Sequence, residues 1–313
     1  MQLKPILKKY SLPSFMILFI PGEGFSMKKK IKSFFAKVKL YWPLIKSLQT
    51  GLLLSTGIAG YLSTHSQPSF LILLSVAGCL FLAISGSTIL NMWFDRDIDL
   101  VMNRTHNRPL ASGRVRPLDA LILGLVFSIS GVVWSLLIDP LFGMIVFAGL
   151  FFDVFVYSIW LKRRTCWSIV WGGISGGMPI LAGRAIALGH IDMVGILLAM
   201  AVLFWIPTHI MTFSIRYHTD YLAAAVPTFP STYGFDATRA CVALSSIIAA
   251  ACMGVAGVMI GISAGFLRLM IVLSTGLLLL SLATVFHPSE RVNFGLFKYA
   301  SLYMLASMIL LVI

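Results

Sequence analysis

Nine apolar runs, each about as long as a membrane-crossing helix, constrain this chain more than any other feature. A helix needs about 20 predominantly apolar residues to cross the hydrocarbon core of a bilayer. Inside that core each backbone amide must find its partner within the segment, so every run predicts a helix. The sequence therefore predicts an all-α, polytopic membrane bundle of nine transmembrane helices. The predicted spans are 48–64, 70–93, 118–138, 141–161, 166–188, 191–213, 238–261, 264–286 and 296–313.

Lysine and arginine residues are concentrated in alternate connections between these runs. Residues 28–46 carry seven lysines and residues 94–117 carry five arginines, whereas the connections after the first and third spans carry none. Because cytoplasmic connections are enriched in Lys and Arg, this alternation predicts a cytoplasmic N-terminus. We interpret residues 1–47 as a basic, interfacial segment and residues 48–313 as one transmembrane domain. The expected location is the cell membrane, or the mitochondrial inner membrane in a eukaryote.

The net charge of +13, from 24 Lys and Arg against 11 Asp and Glu, has two interpretations. In a soluble protein such an excess favours nucleic acid as the partner. Here the basic residues border apolar runs, where they meet anionic lipid head groups, and no module of interleaved basic and aromatic residues accompanies them. We therefore expect this charge to contact membrane lipid and not nucleic acid.

The first of two long connections, 94–117, begins with a regularly spaced acidic motif. Asn91, Asp95 and Asp99 recur every four residues, which places their side chains on one face of a helix. Like charges at that spacing repel and need a compensating cation. Mg²⁺ prefers oxygen ligands, and arginine donates paired hydrogen bonds to phosphate oxygens. The motif predicts recognition of a diphosphate through Mg²⁺; the alternative is a solvated, charged loop beside the head groups. The basic residues concerned are Arg96, Arg104 and Arg108.

The second long connection, 214–237, is predicted to lie on the same membrane face. Asp220 is an isolated acid in it and can complete the Mg²⁺ shell of Asn91, Asp95 and Asp99, with Arg216 nearby. Tyr221 follows directly and is a further candidate catalytic residue. We expect both long connections to be catalytic, since long loops in a compact domain are usually functional.

A third group of polar residues ends the fourth span. Lys162 and Arg163 either anchor the span at the membrane surface or reach the diphosphate, with Tyr157 one turn earlier. Asp153 lies inside the span, and an acid at that depth is a functional candidate by default. The structural alternative is that Asp153 pairs with Lys162 or Arg163.

Four glycines in the fifth span form a further cluster: Gly172, Gly173, Gly176 and Gly177. Such a density of glycine lets helices approach closely or leaves room for a bulky, planar ligand. The sequence leaves both alternatives open.

Together these residues resemble the UbiA superfamily of intramembrane prenyltransferases, over a stretch from about residue 41 to the last span. The resemblance implies a nine-helix bundle whose two acidic motifs lie in the second and sixth connections. It also implies that short helices cap these motifs on the cytoplasmic or matrix side.

Within the superfamily the sequence is most similar to the haem-farnesylating branch. Quinone-type members usually carry Asn-Asp where this chain has Asn91-Met92. They also tend to carry two aspartates in the second loop, where this chain has only Asp220. The segments 102–108, 161–163 and 205–209 also look like the haem branch. Pro179-Ile180, Gly183-Arg184 and Lys46-Ser47 depart from it.

That resemblance implies transfer of farnesyl from farnesyl diphosphate to a vinyl group of haem B, with Mg²⁺ as cofactor. It implies a terminal oxidase or haem A synthase as the downstream partner. His209, in the sixth span, then either contacts the haem iron or a propionate or is a hydrogen-bonded packing residue. Two other functions remain open. One is a UbiA-type prenyltransferase with a quinone, aromatic or lipid acceptor; the other is a transporter or haem-handling assembly factor without catalysis.

Overall fold

The computed structural model describes residues 35–64 and 68–312. All regular structure in these two ranges is helical, which confirms the predicted all-α class. A 3₁₀ turn, Trp42–Ile45, leads into eleven helices. These are α1 Ser47–Leu62, α2 Phe70–Phe94, α3 Arg96–Val101, α4 Pro117–Ile138, α5 Pro140–Leu161, α6 Ser168–Leu188, α7 Met193–Arg216, α8 His218–Ala223, α9 Phe229–Ile260, α10 Ala264–Phe286 and α11 Glu290–Leu310.

Seven of the helices in the described ranges are long and apolar enough to cross a membrane, which makes this an integral, multi-pass membrane protein. They are α2, α4, α5, α6, α7, α9 and α10. Of the remaining two predicted spans, α1 has 16 residues and α11 has 21, with Glu290, Arg291 and Lys298 in its first half. The count of nine spans and the orientation of the N-terminus stay predictions. The greater part of the predicted interfacial segment, residues 1–34, lies outside the described residues.

The second long connection is more helical than the sequence indicated. α9 begins at Phe229, so the predicted start of the seventh span at 238 is wrong. Thr228 and Ser231 form a reciprocal capping box, and Pro230 occupies the first turn, where its missing N–H costs nothing. A kink at Gly234, with φ 83°, separates this turn from the rest of α9. The last helix likewise begins at Glu290 and not at 296, with Ser289 as its cap.

Helix α7 is central in the larger core, where it packs against α6, α9 and α11. α1 closes against α6 through glycines at the contact. A Cβ atom on Gly60 would lie 2.2 Å from the carbonyl oxygen of Ile180, and one on Gly183 would lie 1.9 Å from that of Gly57. Two backbones can approach this closely only where no side chain separates them.

The two short helices α3 and α8 meet over one end of the bundle. Ile98 and Met102 pack with Val226, and Tyr221 and Ala224 border this small core. Short helices at these two connections agree with the arrangement that the family resemblance implied. The contact brings the first and second long connections together, although more than a hundred residues separate them in the chain.

Candidate active site

The acidic motif spans the junction between α2 and α3. The amide of Asp95 donates to the carbonyl of Asn91 at 2.9 Å, and that of Asp99 donates to the carbonyl of Asp95 at 2.7 Å. The four-residue register therefore continues through the junction. All three side chains are buried, with 6%, 4% and 3% of their surface exposed. Buried acids need partners, so the interpretation as a solvated loop does not describe these three residues.

Each of the two acids is paired with a base. Lys162 Nζ donates to Asp95 Oδ2, and Arg108 Nη1 lies 2.8 Å from Asp99 Oδ2. The sequence predicted that these acids require a compensating cation, and the structure supplies one to each. Asp95 Oδ1 is buried and has no hydrogen-bond partner among the described residues. A buried carboxylate oxygen without a donor is what a cation ligand looks like before the cation binds.

The second connection contributes Asp220, which is 7% exposed. Its Oδ2 accepts from the backbone amide of Arg104 at 3.2 Å, and its Oδ1 accepts from Asn103 Nδ2 at 3.4 Å. Asp220 therefore joins the α7–α9 connection to the first acidic loop. Tyr221, beside it, packs against Ile98 of α3.

A polar network lies one to two turns deeper, between α2 and α5. Asn91 Nδ2 donates to Asp153 Oδ2 at 2.8 Å, and Ser87 Oγ donates to the same oxygen. Ser158 donates to Asn91 Oδ1 and to the carbonyl of Asp153. Residues 151–161 are π-helical, and the amide of Lys162 accordingly reaches back five residues to the carbonyl of Tyr157 at 2.8 Å. π-helical turns are frequent at functional sites.

Some of the candidate basic residues pair with the acids, and others stack over aromatic rings. Lys162 and Arg108 meet the acids, and Lys162 Nζ is 5.4 Å from the centre of the Tyr157 ring. Arg104 stacks over Phe213 at 4.7 Å, Arg216 over Phe294 at 4.0 Å, and Arg96 over Trp93 at 4.6 Å.

Arg163 differs from the other candidates because it is paired outward with the exposed Asp97, at 2.7 Å. This pairing lowers the pKa of Asp97 to about 2. Lys162 and Arg163 thus both have partners other than Asp153, and the alternative that paired Asp153 with one of them does not hold.

Below the acids an apolar cavity of about 530 Å³ opens between α1, α2, α5, α6, α7 and α11. Tyr157 and Asp153 line the part of the wall nearest the acidic motif, and Gly172 and Gly176 line the α6 wall. Gly177 instead faces α7, where a Cβ atom would lie 2.6 Å from the carbonyl oxygen of Ala199. Close helix packing is therefore observed at Gly177, whereas a bulky ligand beside Gly172 and Gly176 stays a prediction.

His209 lies on the wall of this cavity. Its ring is stacked between Trp205 and Phe297, with ring centres 5.0 and 4.4 Å away. Its Nδ1 lies 3.4 Å from Ser301 Oγ. Two aromatic neighbours fix the plane of the imidazole, and His209 is among the residues that line the cavity.

Lys46 is a site residue that sequence reasoning missed, because it was grouped with the basic lead-in. It joins the 3₁₀ turn to α1 in a left-handed conformation, with φ 46° and ψ 61°. Burial and the nearby charges of Arg108 and Lys162 lower the pKa of its ammonium group to about 8. A signal was available, since the apolar segment 40–45 separates Lys46 from the other lysines and places it at the start of a span.

The described residues contain no cluster of three or more His, Cys, Asp and Glu side chains at metal-binding distances. The donor types are those that Mg²⁺ prefers, and the unpartnered Asp95 Oδ1 fits a cation ligand. The assignment of Asn91, Asp95, Asp99 and Asp220 as its ligands stays a prediction.

Comparison with known proteins gives the family. The profile of the UbiA prenyltransferase family matches residues 52–302. This chain belongs to the UbiA prenyltransferase family. Membership makes the protein an enzyme of prenyl transfer, as the sequence predicted, and excludes the transporter or assembly-factor alternative.

Two curated relatives of this UbiA member share the name protoheme IX farnesyltransferase. The protoheme IX farnesyltransferase of Korarchaeum cryptofilum is 42% identical over 205 residues, covering 66% of this chain and 69% of that protein. The protein of the same name from Archaeoglobus fulgidus is 40% identical over 200 residues, covering 64% and 70%.

Solved structures share the fold at low sequence identity. A structure concerning digeranylgeranylglyceryl phosphate synthase in membranes superposes with a TM-score of 0.73 at 19% identity, covering 88% of this chain and 98% of that one. A UbiA homologue from Archaeoglobus fulgidus, bound to GPP and Mg²⁺, gives 0.66 at 15% identity, covering 87% and 99%. These likenesses establish the fold.

Proposed function

We propose that this protein transfers the farnesyl group of farnesyl diphosphate to a vinyl group of haem B, forming haem O and releasing diphosphate. The observation that carries the proposal is a buried acidic motif with paired bases, directly above an apolar cavity. The motif suits a charged diphosphate and the cavity suits its apolar chain and acceptor. The name shared by the curated relatives supports haem as the acceptor.

The acidic and basic residues prepare the diphosphate to leave. Bound Mg²⁺ would neutralise part of the diphosphate charge, with Asn91, Asp95, Asp99 and Asp220 as its proposed ligands. Lys162 and Arg108 lie at the acids and can transfer their hydrogen bonds to phosphate oxygens as the leaving group develops charge. Arg104, in the first connection, and Arg216, at the end of α7, are proposed to assist, with Arg96 and Arg163 at the periphery.

The bundle protects the carbocation that remains. The face of Tyr157 lies on the cavity wall next to Lys162, where an aromatic ring stabilises a nearby cation. Apolar walls exclude water that would otherwise hydrolyse the allylic cation. The vinyl carbon of the acceptor attacks this cation, and water then adds to the acceptor-side cation.

His209 is the proposed contact to haem. Its imidazole is held between Trp205 and Phe297 on the cavity wall, and a planar macrocycle can present its iron or a propionate to this imidazole.

The cellular setting follows from the same proposal. We place the enzyme in the cell membrane, or the mitochondrial inner membrane in a eukaryote. Its product would pass to haem A synthase or to a terminal oxidase.

Purified protein in detergent, given haem B, farnesyl diphosphate and Mg²⁺, tests the function. The expected product is a haem heavier by one farnesyl group and one water, formed only when Mg²⁺ is present. A parallel panel offers quinone precursors, aromatic acids and glyceryl phosphate lipids with the same donor. Prenylation of one of these compounds, with haem unmodified, would show that haem is not the acceptor. The family assignment would be unchanged.

A further inference from the structure

Asp153 is a half-buried acid that accepts a hydrogen bond from Asn91 and has no role in the diphosphate chemistry proposed above. It lies in the π-helical part of α5, on the wall of the apolar cavity, and is the one acid among the described residues that line this cavity. An ionisable side chain in a membrane span is costly unless something compensates for it. Lys162 and Arg163, the nearest bases in the chain, are paired with Asp95 and Asp97.

The two oxygens of Asp153 have different surroundings. Oδ2 accepts from Ser87 and from Asn91, so this half of the carboxylate is held in place from α2. No hydrogen bond reaches Oδ1 from any residue that the structure describes. Asp153 lines the cavity, and its Oδ1 retains accessible surface. An accessible carboxylate oxygen can accept a hydrogen bond from a water molecule that enters the cavity.

The depth of this oxygen matches the position of the acceptor. Ser87 and Asn91 lie eight and four residues before Asp95 on the same helix, which puts them about 6 to 12 Å deeper at 1.5 Å per residue. The reacting end of a prenyl chain is bonded to the diphosphate held at Asp95. The acceptor carbon that becomes cationic after attack then lies below it, towards Asp153.

Transfer to a vinyl group places two opposite demands on water. Water must be kept from the allylic cation, and one water must then add to the acceptor-side cation. A cavity with apolar walls and one hydrated acid satisfies both, because the water is held at a fixed point away from the allylic carbon.

We propose that Asp153 binds and deprotonates the water that adds to the acceptor-side cation. The water oxygen forms the new C–O bond and its O–H bond breaks. The proton passes to Asp153 Oδ1, so the neutral alcohol and a protonated carboxyl result from one cation, one water and one carboxylate. Ser87 and Asn91 are positioning residues that aim Oδ1. This role rests on the proposed haem farnesylation.

Without the base, the same cation has another fate. It can lose a proton from the adjacent carbon and form an alkene, which is lighter than the alcohol by one water. Asp153→Asn is nearly isosteric and keeps an oxygen that can accept from Ser87 and Asn91. We expect it to release diphosphate at close to the wild-type rate, and the ratio of hydrated to dehydrated farnesyl haem to fall by about 100-fold, the lower end of what a positioned base contributes.

Mass spectrometry of the extracted haems in H₂¹⁸O, together with diphosphate release, measures both quantities. Ser55→Ala is the matched control, because Ser55 does not line the cavity and its hydroxyl bonds to its own helix, at Leu52. Its product ratio should be that of wild type. Asp153→Ser supplies a second variant without a carboxylate, should the Asn variant not accumulate.

The outcomes separate the two proposals. Slower turnover of both Asp153 variants with an unchanged product ratio would show that Asp153 only ties α2 to α5 and would overturn its role. Wild-type turnover and ratio in both variants would overturn it as well. If the wild-type protein forms no farnesyl haem, the proposed function fails and the role of Asp153 fails with it.

Discussion

At the scale of single residues, two acids of the site, Asp95 and Asp99, are already paired with bases. Oδ2 of Asp95 is paired with Lys162, whereas its Oδ1 is buried and has no hydrogen-bond partner among the described residues. Oδ1 can therefore bind a cation while the ion pair at Oδ2 is kept. Asp97, two residues away, is exposed and paired with Arg163. The chain thus offers a buried and an exposed aspartate of the same motif for direct comparison.

Asp95→Asn should lower kcat by about 100-fold or more, the usual effect of removing one electrostatic group at a reacting centre. Its amide keeps the size of the side chain but neutralises the charge that a Mg²⁺–diphosphate needs. Asp97→Asn is the control and should retain more than half of the activity. Steady-state release of diphosphate measures both, and normal turnover in Asp95→Asn would remove it from the metal shell.

We predict that binding of the diphosphate depends on pH through Lys46. Its lowered pKa of about 8 means that the ammonium is charged below pH 8 and loses its proton as the pH rises through that value. A bound diphosphate favours the charged form, so its affinity should fall by up to about tenfold per pH unit above 8. Calorimetric titration with farnesyl diphosphate at pH 7, 8 and 9 measures this.

Lys46→Arg is the matched variant, because arginine stays charged throughout this range. It should bind with nearly the same affinity at all three values. A pH dependence identical to that of wild type would assign the titration to another group.

At the scale of helices, the glycines determine how closely α1 and α6 approach. Gly57, Gly60 and Gly183 place the two backbones in direct contact. Arg184, next to Gly183, is buried and bonds to Asp192 at 2.8 Å and to Ser63 Oγ at 2.9 Å. Arg184 therefore ties α1, α6 and the start of α7 together at the end of α6 far from the acids.

Gly60→Ala should destabilise the protein by about 1–3 kcal/mol, the usual range for overpacking. The new methyl group would lie 2.2 Å from the carbonyl oxygen of Ile180, so the helices must separate. Gly51→Ala, in the same helix, meets nothing within 4 Å and should be neutral or stabilising by up to about 1 kcal/mol. Thermal unfolding in detergent compares them, and equal midpoints would show that α1 does not pack as described.

At the scale of the whole molecule, Asp220 links two connections that are far apart in the chain. Its carboxylate accepts from Asn103 and from the amide of Arg104, while α3 and α8 share a small apolar core. Asp220 therefore joins the two connections above the cavity, together with this apolar core and the contact of Arg104 with Phe213.

Asp220→Asn should loosen both connections at once. We expect faster amide hydrogen exchange over residues 102–108 and 217–226, together with weaker binding of farnesyl diphosphate. Asp236→Asn changes an acid whose side chain is fully exposed and paired only with Arg239, so both measurements should match wild type. Faster exchange confined to 217–226 would contradict the link.

The sequence by itself determined the helical class, most of the span positions and the acidic motif. These depend on hydrophobicity over about 20 residues and on a four-residue period, both of which are local. The sequence analysis did not predict the capped start of α9, because the polar segment before 238 has the composition of a loop. In the structure Thr228 and Ser231 cap a helix there. Tertiary structure alone decided which base meets which acid, since residues 67 apart pair as Asp95 and Lys162. It likewise brought Lys46 into the site and left Asp153 with one open oxygen, because both outcomes depend on how separate helices pack.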